Sequence, residues 1–307
     1  MTYILQTDHL GKKIGKKELV SDVNIHVKQG EIYGFLGPNG AGKTTVMKMI
    51  TNIWKPSCGT VTLFGKTLEA DSYEVLKRMG SIIEFPVFYE HMSGKENLWL
   101  HCEYMGYYNK GSIEEALELL DLVKEADQPV KSYSLGMKQR LGIARAILCK
   151  PELVILDEPT NGLDPAGMKQ MRDLFKMLSM EYGMTFMISS HLLAEIESIA
   201  DTIGIIQHGK MKKEISMKDI AEMNTAYIEL IVENTKKAAY VLAEKMQLGN
   251  FKIMDDSKIR IYEPDIIPQE ISKELITNDV EITSIYQHTE TLENYFLKLT
   301  EEAEVIC

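Results

Sequence analysis

The sequence predicts an α/β fold with a parallel sheet covered by helices, followed by a smaller α+β domain. Short apolar runs alternate with helical patterns over the first two thirds of the chain, and a glycine-rich turn joins one such run to a helix. The pattern changes after residue 216, where strands and helices alternate without a glycine-rich loop. We therefore expect one domain over residues 1–216 and an accessory domain over residues 217–307.

Composition limits the classes of function. The 307 residues suffice for two domains, and the net charge of -11 argues against nucleic-acid binding, which needs clustered Lys and Arg. The four cysteines are scattered without a C-x-x-C pair, which indicates free thiols. No stretch approaches the roughly 20 apolar residues of a membrane-spanning helix, and the start is not typical of a secretory signal. We expect a protein that is soluble when isolated.

The first elements follow from local periodicity. VSDVNIHVKQG (20–30) alternates apolar and polar residues and predicts an antiparallel strand, whereas EIYGFLG (31–37) predicts a buried strand that enters the glycine-rich turn. TTVMKMITNIW (44–54) has helical spacing and should end before Pro56. The predicted order is therefore strand, glycine-rich turn, helix.

Further along, an amphipathic helix is predicted over residues 112–126, with Ser112 as its cap and Glu115 completing a capping box. Buried strands are predicted at LVILDEP (153–159) and MTFMISSH (184–191), because both are short continuous apolar runs. The segments after residue 216 predict strand, helix, hairpin, helix, strand and a final helix, that is, a βαββαβ unit with one more helix. Those segments are AYIELIVE, KKAAYVLAEKM, FKIMDDSKIRIYE, IPQEISKELITND, VEITSIYQ and TLENYFLKLTEE.

The glycine-rich turn GPNGAGKTT matches the phosphate-binding pattern G-x-x-x-x-G-K-[ST]. Its glycines let backbone N–H groups face phosphate oxygens, Lys43 supplies positive charge to the β and γ phosphates, and Thr44 offers a hydroxyl to Mg²⁺. The dipole of the following helix favours the same anion. The predicted nucleotide-binding residues are Gly37, Pro38, Asn39, Gly40, Ala41, Gly42, Lys43, Thr44 and Thr45.

Two adjacent acids end the strand LVILDEP. An Asp at the carboxyl end of a buried strand can hold Mg²⁺, so Asp157 is predicted as a metal residue together with Thr44. Glu158 could orient or polarise the water that attacks a γ phosphate. Adjacent acids alone are common at solvated strand ends, but a phosphate loop upstream favours the functional interpretation.

A further motif, YSLGMKQRLGIARAI (133–147), precedes that strand. Together with GPNGAGKTT, LVILDEPTNGLD and ISSH in this order, it resembles the ATP-binding cassette of ABC transporters over residues 3 to about 215. The family's Leu-Ser-Gly-Gly-Gln signature is matched here only at Ser134 and Gly136. The resemblance implies an antiparallel β subdomain, a RecA-like parallel sheet core and a helical subdomain, with ATP and Mg²⁺ as cofactors.

The resemblance also implies partners. Two cassettes would pair head to tail, with the phosphate loop of one copy facing Ser134 and Gly136 of the other across a shared ATP. Asp164 matches the segment along that interface, and His191 matches a switch histidine that contacts the γ phosphate and the attacking water. Glu158 and His191 are thus the predicted catalytic pair. An integral-membrane permease would be the other partner, with this chain bound at the cytoplasmic face of the plasma membrane.

Two positions depart from the family pattern. Ile14 occupies the place of an aromatic residue that stacks on adenine, so only apolar contact is expected there. Glu84 replaces a Gln that reaches Mg²⁺ and the attacking water on one side and the membrane subunit on the other. Two like charges about 4 Å apart repel by roughly 4 kcal/mol at an effective dielectric of 20. Glu84 is therefore predicted as a catalytic and metal residue that faces Mg²⁺ or a basic residue of the permease, unless it is protonated or a tolerated isostere.

The loop EFPVFYEHMSGKENL resembles that of exporters that protect bacteria against lantibiotics and bacitracin, and TLENYFLKLT resembles the end of many ABC-2-type subunits. This resemblance implies an ATP-hydrolysing subunit that powers export of such a peptide or a related amphiphile. An exporter of another lipid, drug or polysaccharide is the alternative, and a cassette of DNA maintenance or translation, an importer and a small-molecule kinase are less favoured. Aromatic residues of segment 84–105 form either core or a permease contact: Phe85, Phe88, Tyr89, Trp99 and Tyr104.

Overall fold

The computed structural model of the protein describes residues 2–223, 227–263 and 266–288. Contacts between Cα atoms divide the chain into two compact units, Met1–Met217 and Lys218–Cys307, and each is described by itself. The helix predicted in TLENYFLKLTEE lies outside the described residues, as does Cys307.

The first unit is built from strands and helices that alternate after an antiparallel start. Its strands are β1 (Tyr3–Ile14), β2 (Lys17–Lys28), β3 (Ile32–Leu36), β4 (Cys58–Leu63), β5 (Lys66–Thr67), β6 (Met79–Ile82), β7 (Leu153–Asp157), β8 (Thr185–Ser190), β9 (Thr202–Gln207) and β10 (Lys210–Ser216). Its helices are α1 (Lys43–Ile50), α2 (Tyr73–Leu76), α3 (Gly94–Met105), α4 (Ser112–Leu119), α5 (Leu135–Ile147), α6 (Pro165–Tyr182) and α7 (Leu193–Glu197). A 3₁₀ turn covers Val130–Ser132, and α8 (Met217–Met223) follows β10.

Two sheets organise this unit. One is antiparallel, in the order β2-β1-β4-β5, and the other has six strands in the order β10-β9-β3-β8-β7-β6. In the second sheet every pair from β9 to β6 is parallel, and only the edge strand β10 is antiparallel to its neighbour. Strands β3, β7 and β8 are buried along their whole length, as the apolar runs predict. The predicted α/β fold with an antiparallel subdomain and a parallel core is confirmed.

The carboxyl ends of the central parallel strands meet at one edge of this sheet. Asp157 at the end of β7 pairs in register with Ser189 of β8. Leu36 at the end of β3 pairs in register with Ser190 of β8. Because parallel strands point the same way, the residues that follow β3, β7 and β8 emerge side by side.

Helices α3, α4 and α5 lie between β6 and β7 in sequence. One prediction about them is wrong. Helix α4 covers only Ser112–Leu119, so the helix expected over residues 112–126 is too long. Ser112 is not its cap, since Gly111 holds that position with a φ of +88° and the Ser112 hydroxyl donates to the Asn109 carbonyl at 2.9 Å. The capping box belongs to α3 instead, where Ser93 and Glu96 cap each other's backbone N–H groups.

From β11 onward the second unit has the predicted βαββαβ order over its described residues, and most of α8 precedes it. Its elements are β11 (Tyr227–Val232), α9 (Thr235–Tyr240), which continues into a π-helical turn (Val241–Lys245), β12 (Phe251–Ile253), β13 (Lys258–Ile261), α10 (Pro268–Thr277) and β14 (Ile282–His288). The strands form an antiparallel sheet in the order β12-β13-β11-β14. Alternate residues of β11 face a core completed by both helices, so this unit has a hydrophobic core of its own.

Two predictions from composition can be compared with this structure. The cysteines among the described residues, Cys58, Cys102 and Cys149, are free thiols, as their scattered positions indicate. Among the helices of the described ranges, none combines the length and the apolar character that crossing a membrane requires.

We expect Gly80→Ala to destabilise the first unit. A methyl group at Gly80 of β6 would lie 1.9 Å from the Ala146 carbonyl oxygen of α5, and backbone atoms cannot move aside as a flexible side chain can. Overpacking of this kind costs about 1–3 kcal/mol of unfolding free energy, which urea denaturation followed by circular dichroism would measure. Ser81→Ala, at the next and half-buried position, is the control and should stay within about 0.5 kcal/mol of wild type. Equal stability of both variants would contradict the close packing of α5 on β6.

Candidate functional site

The loop between β3 and α1 has a backbone that requires glycine at defined points. Gly40 and Gly42 have φ angles of +79° and +107°, in the left-handed region that other residues rarely adopt. At Gly37 a Cβ atom would lie 2.3 Å from the Ile206 carbonyl oxygen. The loop can therefore turn its backbone amides toward the start of α1, where a helix N-terminus favours an anion.

The lysine of this loop is buried and bound on two sides. Lys43 Nζ donates to the Gly37 carbonyl at 2.6 Å and lies 3.2 Å from Glu158 Oε1. A buried ammonium is costly unless it is paired, and these oxygens satisfy it. Phosphate oxygens that enter the loop would compete with the same acceptors for the same cation.

A buried carboxylate at the end of β7 joins helix α1 and strand β8 at the site. Asp157 Oδ2 accepts a hydrogen bond from Thr44 Oγ1 at 2.7 Å, and Asp157 Oδ1 accepts one from Ser189 Oγ at 2.6 Å. Ser189 Oγ in turn accepts from the Glu158 backbone N–H at 2.9 Å. The structure thus brings together Thr44 and Asp157, the two residues predicted to hold a metal.

The predicted catalytic pair is also in contact. Glu158 Oε2 lies 2.8 Å from His191 Nδ1, and Glu158 itself has a φ of +50°. A non-glycine residue in this region is uncommon, and here the conformation follows directly on the end of β7. One carboxylate is therefore shared between the loop lysine and the histidine at the end of β8.

Of these groups, Lys43, Thr44 and Glu158 line an open depression of about 230 Å³. Its lining consists of Leu19, the loop residues and one acid: Leu19, Pro38, Asn39, Gly40, Ala41, Gly42, Lys43, Thr44, Thr45 and Glu158. Ile14, expected near adenine, is 53% exposed at the end of β1 and does not belong to this lining, whereas Leu19 does. Hydroxyl and carboxylate oxygens of Thr44 and Asp157 are ligands that suit Mg²⁺, so the donor set fits that ion together with phosphate oxygens.

Three predicted nucleotide residues lie elsewhere on the chain. Ser134 caps α5 by accepting from the Met137 N–H at 3.2 Å, and Asp164 caps α6 by accepting from the Gly167 N–H at 3.1 Å. A methyl group on Gly136 would lie 3.3 Å from Leu163. Within the described ranges, neither cap residue nor Gly136 lines the depression at the phosphate loop. Ser134 is exposed and uncharged, so the N-terminus of α5 is open to an anion from outside, whereas the Asp164 carboxylate already occupies that of α6.

Glu84 has a cationic partner that sequence analysis did not consider. Its Oε1 lies 2.7 Å from Lys48 Nζ, so the cation that the charge argument required can come from α1 of the same chain. The expected contacts of Glu84 with Mg²⁺ or with a permease stay predictions. Lys48 was missed because it is 36 residues away in sequence and belongs to no recognisable motif.

Other site residues were missed as well. Gln139 of α5 donates to the Pro159 carbonyl at 3.0 Å, which fixes the segment after the two acids. Glu195 Oε2 accepts from Thr160 Oγ1 and from Ser190 Oγ, both at 2.9 Å, and joins that segment to the end of β8. The one available signal was the pair of serines in ISSH, since a hydroxyl in a strand beside two acids has an obvious hydrogen-bonding role.

Comparison with known proteins gives consistent matches. Residues 20–161 match the family model described as "ABC transporter". The chain is 57% identical to the uncharacterized ABC transporter ATP-binding protein YcbN of Bacillus subtilis (strain 168), over 97% of both chains. It is 42% identical to the bacitracin transport ATP-binding protein BcrA of Bacillus licheniformis, over 97% of this chain and 98% of BcrA. A solved ATP binding subunit of an ABC transporter has a TM-score of 0.66 and 28% identity, covering 72% of this chain and 92% of that one.

We expect Ser189→Ala to lower the rate of ATP hydrolysis about tenfold or more. The variant loses the hydrogen bond to Asp157 and the acceptor for the Glu158 N–H, and hydrogen bonds to charged groups are worth about 1.5–3 kcal/mol. Release of phosphate from ATP by the purified full chain is the measurement. Ser198→Ala is a matched control, because the Ser198 hydroxyl donates to the Glu195 carbonyl and not to a predicted catalytic group. Equal rates for both variants would show that Ser189 does not orient the acids.

Proposed function

This chain belongs to the ATP-binding proteins of ABC transporters, and from that premise we propose that it powers export of an antimicrobial peptide of the bacitracin or lantibiotic class through a separate membrane permease. As a member of the family it binds ATP and is an ATPase. One observation carries the assignment of catalytic roles: Glu158 contacts both the phosphate-loop lysine at 3.2 Å and His191 at 2.8 Å.

The residues of the site divide the work of hydrolysis. Lys43 and the backbone N–H groups of residues 39–45 hold the β and γ phosphates, and Lys43 exchanges its bond to Glu158 for phosphate oxygens. Glu158, freed from the lysine, accepts a proton from the attacking water, and His191 keeps the carboxylate oriented toward the γ phosphate. Thr44 and Asp157 would hold Mg²⁺, which neutralises charge on the phosphate oxygens when it is bound.

A second copy of the chain would complete the site. Ser134, Gly136 and Asp164 lie at or beside the N-termini of α5 and α6 rather than at the phosphate loop of their own chain. A head-to-tail pair of chains would aim the N-terminus of α5 at the γ phosphate held by the other copy. Hydrolysis would then depend on dimerisation.

The aromatic residues of segment 84–105 support a permease contact. Phe85 is 75% exposed, Tyr104 is 72% exposed and Trp99 is 53% exposed, so these side chains are not core. The Tyr104 hydroxyl shares a hydrogen bond with Tyr89 that favours its protonated form and raises its pKa, so these two side chains belong to one patch. Exposed apolar patches rimmed by polar residues are typical of protein interfaces. Phe88 differs, since it is half-buried with the Arg145 guanidinium 4.8 Å from its ring.

The substrate class rests on relatives. BcrA proteins of Bacillus licheniformis and Enterococcus faecalis, described as bacitracin transport ATP-binding proteins, match this chain over nearly its full length. That match includes the second unit and the loop that carries Glu84. The transported peptide itself would be recognised by the permease, and this chain would supply the energy at the cytoplasmic face of the membrane.

We expect Glu158→Gln to retain ATP binding while turnover falls about 100-fold or more, because a general base contributes at least that factor. The amide keeps the shape of the side chain but cannot accept the proton, so an ATP-bound dimer should accumulate. Size-exclusion chromatography with ATP and phosphate release would measure both effects. Glu181→Gln, an exposed acid on α6, is the matched control and should resemble wild type. Rapid hydrolysis by Glu158→Gln would remove Glu158 from its assigned role.

The export function is tested in living cells. The chain, co-expressed with its membrane permease in a bacitracin-sensitive host, should raise the bacitracin or lantibiotic concentration that stops growth. The same pair with Glu158→Gln should not, because the permease is then present without turnover. A ribosome inhibitor serves as the control drug and should act equally on both strains. Unchanged sensitivity to both peptide classes in the presence of an active ATPase would contradict the peptide assignment.

A further inference from the structure

Lys48 holds the carboxylate of Glu84 beside the phosphate-binding site. Lys48 Nζ lies 2.7 Å from Glu84 Oε1, and its side chain is only 16% exposed. The Lys48 ammonium also lies 4.8 Å from the centre of the Trp54 ring, a cation–π contact that fixes the lysine on a second side. The Lys48 ammonium is therefore held on two sides by the protein, whereas the Glu84 side chain is 57% exposed and borders solvent.

The position of Lys48 on α1 links this ion pair to the predicted metal residues. Lys48 follows Thr44 by four residues, so both side chains lie on the same face of α1, one turn apart. Thr44 Oγ1 bonds to Asp157 at the loop end of that face, and Glu84 is held one turn further along it. The rise of one helical turn, about 5.4 Å, separates the two positions along α1.

Charge decides which position Glu84 occupies. A carboxylate near phosphate oxygens needs a cation, and within the described ranges Lys48 is the cation that pairs with Glu84. Lys43 does not pair with Glu84, since its contacts are the loop carbonyls and Glu158. A divalent ion bound with ATP would offer Glu84 a stronger charge than Lys48 does.

We propose that Lys48 is a positioning residue that withholds Glu84 from the metal–nucleotide site and competes with bound Mg²⁺ for its carboxylate. This inference rests on the proposed function, because it assumes that ATP and Mg²⁺ bind at the depression beside Thr44. The pair is exposed on the Glu84 side, and exposed ion pairs shift an equilibrium by only about two- to fivefold. The Lys48–Glu84 ion pair is thus strong enough to favour the position beside Lys48 and weak enough for bound Mg²⁺ to displace it.

The test measures metal binding as well as turnover. Mn²⁺ is titrated into the full chain with a non-hydrolysable ATP analogue, and free Mn²⁺ is read by electron paramagnetic resonance. Lys48→Met, which keeps the apolar stem on Trp54, should tighten Mn²⁺ binding about two- to fivefold, because Glu84 loses its competing partner. Lys48→Arg keeps the charge and should resemble wild type. Lys48→Gln repeats the measurement if the Met variant fails to fold.

A double-mutant cycle decides whether Lys48 acts through Glu84. In a Glu84→Gln background, Lys48→Met should leave Mn²⁺ affinity unchanged, since no carboxylate remains to be released. An equal gain in both backgrounds would mean that Lys48 acts only as a nearby positive charge, and this would overturn the proposal. No gain in either background would overturn it as well. Failure of the wild-type chain to bind the ATP analogue would instead refute the proposed function, so the two outcomes are distinct.

Discussion

The carboxylate of Asp157 receives hydroxyl hydrogen bonds from Thr44 at 2.7 Å and from Ser189 at 2.6 Å, and the arrangement of the site depends on this pair of bonds. Asp157 is only 4% exposed, and a buried charge is tolerated only when it is fully satisfied. The donors come from α1, which precedes β7 in the chain, and from β8, which follows it. Satisfying one acid therefore draws the phosphate loop and the end of β8 to the same point.

The second acid acts differently because it is placed one residue later. Asp157 belongs to β7 and points into the protein, whereas Glu158 turns out of the strand with a φ of +50° and meets Lys43 and His191. Its backbone N–H still donates to Ser189 Oγ, so the backbone of Glu158 is fixed while its carboxylate contacts Lys43 and His191. The two neighbouring acids thus have different surroundings, because Asp157 is the last residue of β7 whereas the left-handed backbone of Glu158 turns its side chain out of the strand.

Motifs of residues close along the chain predicted most residues of this site. The residues that were missed are placed by contacts between distant parts of the chain. The phosphate loop, the buried strand with its two acids and the histidine after β8 are visible in sequence because each depends on residues close along the chain. Ser189 and Lys48 are not, because their roles arise from strand register and from the face of α1. The error at Ser112 has a local origin instead, since Ser and Glu at capping-box spacing also occur by chance and the turn at Gly111 decides where α4 begins.

Glu84 shows how these rules combine. It follows β6 by two residues, as Glu158 follows β7 by one, and β6 and β7 are neighbours in the parallel sheet. Both acids have left-handed backbones, with φ angles of +64° and +50°, a conformation that costs a non-glycine residue roughly 1–2 kcal/mol. Sheet geometry therefore brings a carboxylate to the edge where phosphate would bind, and charge repulsion then requires a cation for it. Helix α1 already supplies Lys43 and Thr44 to that edge, and Lys48, one turn beyond Thr44, supplies the cation without any new element.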